Sequence, residues 1–343
     1  MTVVECVPNF SEGRRPEVVD QIVAAIAAVP GVHVLDRQSD ATHNRSVITF
    51  AGPGEAAAEA DFGGVAAAAR LIDLNVHEGA HPRFGAADVV PFVPLKDDGM
   101  PACVALAREL GARVAAELEI PVYFYEEAAR SEARRNLAVV REGGFEGLRE
   151  ALGREPGRAP DEGPPRVHPS AGAVAIGARA ALVAYNVDLE SDDLALAKSI
   201  ATAIRERDGG LPCLKAIGLA LDDGVQVSMN LTDHRVTSMA AAYAAVAERA
   251  AAAGVAVRRS EVVGLLPEAA LVGIAREALR ATDLTQAQVL ESRILDLVLA
   301  GGAGDTAGAP AGADGTAGMP AGADGIAGAP AGADHATPAG GAP

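Results

Sequence analysis

The apolar periodicity of this chain switches between about two and about 3.6 residues in the same order twice: strand, helix, strand, strand, helix, strand. A chain patterned this way must build sheets and cover them with helices. In the first run, residues 3–7 read as a short strand, 18–28 as a helix that stops at Pro30-Gly31, and 32–35 and 46–50 as strands. A helix over 54–71 and a strand over 89–94 follow. A helix over 101–117, a strand over 122–125 and a basic helical patch over 130–141 complete the unit. The second run starts with a strand over 180–187. Ser191 can cap a helix over 192–207, with Leu194, Ala197, Ile200, Ala201 and Ile204 on one face. Strands over 214–220 and 225–231 form a hairpin turning at Asp222-Asp223-Gly224. A helix over 236–253 and a strand over 255–258 end the run. The expected fold is α/β of the α+β type: two ferredoxin-like α/β subdomains, 1–177 and 178–300, each a sheet covered by helices.

Residues 150–173 break the pattern. They are rich in Gly and Pro and read as a linker or a binding loop. Beyond residue 300 the chain repeats with a period of ten: AGAPAGADGT, AGMPAGADGI, AGAPAGADHA. Its glycines recur at mixed spacings, which excludes a collagen frame. Met319 and Ile326 are its only bulky apolar side chains, too few to offset the entropy of ordering. Residues 301–343 are therefore expected to be a disordered tail.

Charge and thiols narrow the partners. The formal net charge is −17, a field that repels a phosphate backbone, so nucleic acid is not an expected partner. An anionic small molecule would need local arginines to reverse that field. Cys6, Cys103 and Cys213 are far apart with no C-x-x-C, which fits reduced thiols in a cytoplasmic protein. The start of the chain does not read as a signal peptide. The most apolar windows, 171–187 and 236–257, are broken by Arg179 and by Glu248-Arg249, so no membrane span is expected. No Gly-rich phosphate loop with Lys marks a strong ATP site.

Chemistry concentrates in residues 77–88, HEGAHPRFGAAD, which pack two histidines, two carboxylates and an arginine among glycines and a proline. His77-Glu78-x-x-His81 matches the string of zinc peptidases, which needs both histidines on one helical face. Gly79 is a poor helix former, and Pro82 pushes His81 away from the α region, so that helix cannot run through the motif. A histidine held in a loop instead offers a proton donor and acceptor near neutral pH.

Five separated segments carry a resemblance: VECVPNFSEG (4–13), THNRSVITFAGP (42–53), HPRFGAADVVPFVPL (81–95), GARAALVAYNVDL (177–189) and QVSMNLTD (226–233). Together, in this order, they resemble the formiminotransferases, folate enzymes that move a one-carbon unit between tetrahydrofolate and glutamate. The resemblance spans about residues 3–300. It implies two α/β subdomains with a ligand tunnel between them, and glutamate formimidoyltransferase activity in histidine degradation. It implies tetrahydrofolate as co-substrate with no metal, small-molecule substrates and a homodimer. It places the catalytic histidine at His81. It places the folate segment on Gly163, Pro164, Pro165, Arg166, Val167, His168, Pro169, Ser170, Ala171 and Gly172. Two departures stand out: the family often has Glu where Ala80 stands, and the animal enzymes have Trp near Ala171. An ATP-dependent ligase acting on 5-formyltetrahydrofolate and a non-catalytic folate-binding protein are alternatives that the same fold would support.

Three arginines are candidates for substrate carboxylates, because guanidinium binds carboxylate bidentately. Arg83 stands in the histidine segment and equally fits a surface ion pair. Arg45 belongs to a polar cluster, His43-Asn44-Arg45, just before a strand. Arg179 interrupts an apolar region and needs a partner if buried. Arg166 and His168 would serve a glutamyl tail. His77 fits a substrate contact or a strand-end residue, and Asp88 an imidazole partner or a cap. Nothing near Cys6 marks it as a nucleophile.

Overall fold

The computed structural model describes residues 2–41, 43–79, 82–95, 99–221 and 223–294. β1 (Val3–Cys6) and β2 (Asn9–Phe10) form one strand path broken at Val7-Pro8; both pair antiparallel with β4 and β5. α1 (Pro16–Ala27) starts with Pro16, whose missing N–H is no loss in a first turn. It buries Val18, Val19, Ile22 and Ile26 on one face, and each isoleucine contributes about 1.5–3 kcal/mol. β3 (His33–Asp40) pairs antiparallel with β4 (Arg45–Pro53), and α2 (Gly54–Leu71) leads back to β5 (Ala87–Pro94). The resulting order, β3-β4-β1/β2-β5, is the ferredoxin-like arrangement. Small residues let α2 lie close to the sheet. A Cβ on Gly64 would sit 3.1 Å from Ile26 and 3.3 Å from the Phe10 ring.

An extension follows. α3 (Met100–Leu118) leads to β6 (Val122–Glu126); then come α4 (Leu137–Val140), α5 (Gly144–Ala151) and β7 (Val174–Ala178). β7 inserts between β5 and β6, parallel to both. Sequence periodicity does not reveal β7. All five residues are buried, so no alternation marks them, and three of them are Ala or Gly. Residues 150–173 therefore lead into the first sheet, and the step to the second sheet falls between Ala178 and Val183.

The second sheet repeats the ferredoxin-like order. β8 (Val183–Leu189), α6 (Leu194–Ile204), β9 (Leu214–Leu221), β10 (Gly224–Leu231), α7 (Met239–Ala252) and β11 (Val257–Val263) give the strand order β11-β8-β10-β9, followed by α8 (Glu268–Leu279). The cap of α6 is Asp193, not Ser191: its carboxylate accepts from the N–H groups of Ala195 (2.8 Å) and Leu196 (3.1 Å). α7 starts after Ser238, whose hydroxyl accepts from Ala241 N–H, so it is shorter than its apolar pattern. The expected tail, 301–343, lies outside the described residues.

The first sheet has two unlike faces. Val4, Cys6, Ile48, Phe50, Val90 and Phe92 point into a core beneath α1, α2 and α3. Glu5, Asn9, Arg45, Val47 and Thr49 alternate with them and point the other way. α4 and α5 cover part of that second face, around Phe84, Tyr123, Tyr125, Val140 and Leu148. The rest stays open.

Candidate active site

The open face and one end of the second sheet line a cavity of about 1350 Å³. Glu5, Asn9 and Arg45 come from the first sheet, Arg141 from the end of α4, and Lys215 and Asn230 from the second sheet. A molecule in this space would touch both sheets.

One end of the cavity is organised by Asp88, whose side chain is 0% exposed. Its Oδ2 accepts from Arg45 Nη1 and from Arg141 Nη2, each at 2.6 Å. Its Oδ1 accepts from the backbone N–H of Phe84 (2.7 Å) and Gly85 (3.4 Å). Arg45 also donates from Nε and Nη2 to Asn9 Oδ1, at 3.1 and 2.8 Å. Two guanidiniums on one carboxylate leave a net positive charge here, in a chain whose overall field is negative. That local charge suits an anionic ligand. Burial pulls the Arg45 pKa below its ordinary value, with Asp88 opposing the shift. Arg141 was flagged in the sequence only as part of a basic patch. Its Nη2 also donates to the Pro82 carbonyl at 2.7 Å, next in the chain to His81.

Ala80 and His81 themselves lie outside the described residues. His77, Glu78 and Gly79 belong to neither helix nor strand, so the flank of the motif lacks the helical face that the zinc-peptidase string requires. His77 is buried, with Nε2 3.0 Å from the Asn44 carbonyl. Among the described residues, no group of three or more His, Cys, Asp and Glu is arranged to hold a metal ion.

The three arginines singled out in the sequence separate. Arg45 lines the cavity. Arg83 does not: its Nη2 bonds Glu146 (2.6 Å) and the Leu74 carbonyl (3.2 Å), tying the histidine segment to α5. Arg179 lines the cavity three strand positions farther along β5, where its backbone N–H meets the Phe92 carbonyl, about 10 Å from the Asn9–Val89 pair. That region is mixed in charge. Burial raises the Glu5 pKa against the pull of Arg179, and burial raises Glu126 likewise. Glu126 has a φ of +49°, a left-handed conformation uncommon for a side chain of this kind. Burial pushes Tyr125 up to about 12. Glu126 and Lys215 carry no motif, and only the alternation of β1 hinted that Glu5 faces away from the core.

Segment 163–172 does not line the cavity; it is laced to the histidine segment. The Ser170 carbonyl accepts from Leu74 N–H at 2.8 Å, the Ala171 carbonyl from Ala86 N–H at 2.9 Å, and the Pro169 carbonyl from Asn75 Nδ2 at 2.9 Å. Gly172, at φ +72°, bridges Gly85, where a Cβ would meet the Phe84 carbonyl at 2.6 Å. His168 Nδ1 accepts from Ala171 N–H at 3.0 Å, and burial lowers its pKa. Arg166 is exposed and paired with Glu119. Cys6 is fully buried, and burial followed by the nearby Asp61 pushes its thiol pKa well up, which leaves it unreactive.

Comparison with known proteins covers nearly all of the two sheets. A model of the formiminotransferase domain, N-terminal subdomain, matches residues 3–179. A model of the formiminotransferase domain matches residues 184–300. A glutamate formimidoyltransferase of Thermoplasma acidophilum is 49% identical over 298 residues, 86% of this chain and 98% of that one. One of Streptococcus pyogenes serotype M1 is 44% identical over 296 residues, 85% and 99% of the two chains. The formimidoyltransferase-cyclodeaminase of Gallus gallus is 42% identical over 281 residues, 80% of this chain and 52% of that longer one.

Proposed function

The chain belongs to the formiminotransferase family, and from that premise we propose that it is a glutamate formimidoyltransferase. It transfers the formimidoyl group of N-formimidoyl-L-glutamate to N5 of tetrahydrofolate, releasing glutamate, as a step in histidine degradation. The observation that carries this reading is the match to two enzymes of that name over 98% and 99% of their lengths. Folate is a co-substrate here, and the reaction requires no resident metal.

The chemistry asks for one well-placed acid–base group. N5 attacks the formimidoyl carbon, a tetrahedral carbon forms, and the bond to the glutamate nitrogen breaks. N5 loses a proton and the departing amine gains one. His81 is the group assigned to carry it, a contribution of about 10²–10⁴-fold. The doubly gripped Asp88 supports this reading because it brings Arg45 and Arg141 to the same end of the cavity as the histidine segment. Those guanidiniums would hold substrate carboxylates. The family resemblance assigns the folate ring to segment 163–172, which is bonded to the chain around His81 but lies outside the cavity lining, and Arg179 would face a more distant carboxylate. The thiols, none of them disulfide-bonded, fit a cytoplasmic enzyme, and a homodimer is the expected assembly. No helix among the described residues is long and apolar enough to cross a membrane.

The test is a two-substrate assay. Purified protein given tetrahydrofolate and formiminoglutamate should release glutamate in step with 5-formimidoyltetrahydrofolate, seen by its changed ultraviolet absorbance. No glutamate release, with ATP-dependent consumption of 5-formyltetrahydrofolate instead, would replace this reading with the ligase.

A further inference from the structure

The geometry points to Asn44 as a positioning residue for His81, an inference that rests on the acid–base reading of that histidine. Asn44 is not among the residues that line the cavity. It sits between β3 and β4 with a φ of +50°, a left-handed conformation that Asn tolerates better than most side chains. It is 7% exposed, and each of its polar groups is directed at another segment. Oδ1 accepts from Gly13 N–H at 2.9 Å. Nδ2 donates to the Glu78 carbonyl at 2.9 Å. The main-chain carbonyl lies 3.0 Å from His77 Nε2. Gly79 comes so close that a Cβ there would stand 2.3 Å from the His43 carbonyl and 2.9 Å from Asn44 Cβ. Three consecutive residues entering the catalytic segment are thus fastened to the 43–44 turn.

The exit from the segment is fastened too. Arg141 holds the Pro82 carbonyl at 2.7 Å, and Asp88 holds the Phe84 N–H at 2.7 Å. Between the held carbonyls of Glu78 and Pro82 stand only Gly79, Ala80 and His81. The chain is thus held on both sides of His81, and in catalysis a misplacement of about 1 Å costs roughly a hundredfold in rate. No other residue type supplies this fastening so readily. Gly accepts the backbone angle but has no side chain to bond, and Asp keeps an acceptor for Gly13 but offers no donor to Glu78. The neighbour in the chain is Arg45, so one turn sets both the histidine segment and a cavity guanidinium.

Two variants of the full chain test this, Asn44→Gly and Asn44→Asp, assayed per folded molecule as judged by circular dichroism at the assay temperature. Asn44→Gly keeps the backbone conformation and removes both side-chain bonds. Its kcat is expected to fall by about ten- to a hundredfold, with KM for tetrahydrofolate within about twofold of the parent. Asn44→Asp, which loses only the bond to Glu78, is expected to lose kcat in the same direction. A folded Asn44→Gly with the parent kcat, or a loss confined to KM or to thermal stability, overturns the inference. The underlying reading fails separately: a parent chain without turnover, or a fully active His81→Ala, removes the acid–base role itself.

Discussion

Asp88 shows how much of a site can hang on one side chain. It is fully buried, accepts two backbone N–H groups from the turn after His81, and gathers two arginines from segments 43 and 53 residues away in sequence. Replacing it with Asn preserves the shape and removes the charge, leaving two poorly exposed guanidiniums facing each other. Asp88→Asn should cost about 3–5 kcal/mol in urea unfolding, the penalty for breaking a buried ion pair from one side. A loss under about 1 kcal/mol would mean that the arginines find solvent or other partners. The sequence could flag Asp88 as a cap of the element that follows it, whereas the amides it receives, of Phe84 and Gly85, belong to the turn that precedes it. It could not show that Arg141 would arrive at the same carboxylate, because spacing along a chain says nothing about contacts this distant. Arg83 illustrates the converse: it shares the histidine segment, yet its guanidinium is engaged by Glu146 and lies outside the cavity lining.

Elements with one buried face were legible; of the strands buried on both faces, β5 and β6 showed as apolar runs, while β7, rich in Ala and Gly, did not. The helices α1, α2, α3, α6 and α7 and the β9–β10 hairpin emerge from periodicity alone, because solvent on one side imposes a pattern. β7 is buried throughout and carried no alternation. β3 runs to Asp40, well past its apolar start, because its polar half is held by pairing with β4 rather than by burial. The start of α6 is a finer case. Ser191 and Asp193 both suit a cap, and only geometry separates them: Asp193 receives two helix amides, while Ser191 Oγ receives Asp193 N–H at 3.1 Å. Asp193→Ala is therefore expected to destabilise by about 0.5–2 kcal/mol in thermal or denaturant unfolding, and Ser191→Ala by less. The reverse order would return the cap to Ser191.

At the scale of the whole molecule, two ferredoxin-like sheets share one cavity, and neither sheet alone supplies its lining. The first sheet brings Arg45, Glu5 and Val89, and the second brings Lys215 and Asn230. The twofold repeat of the pattern was legible because each half hides its own apolar core. The mixed charge of the shared space was not, since its members come one or two at a time from many strands. The proposed catalysis turns on His81, and the most direct measurement compares the parent with His81→Ala for both folate binding and turnover. The expected result is a turnover lower by about 10²–10⁴-fold with tetrahydrofolate binding retained within a few-fold. Parent-level turnover in His81→Ala would contradict the assignment of proton transfer to this residue.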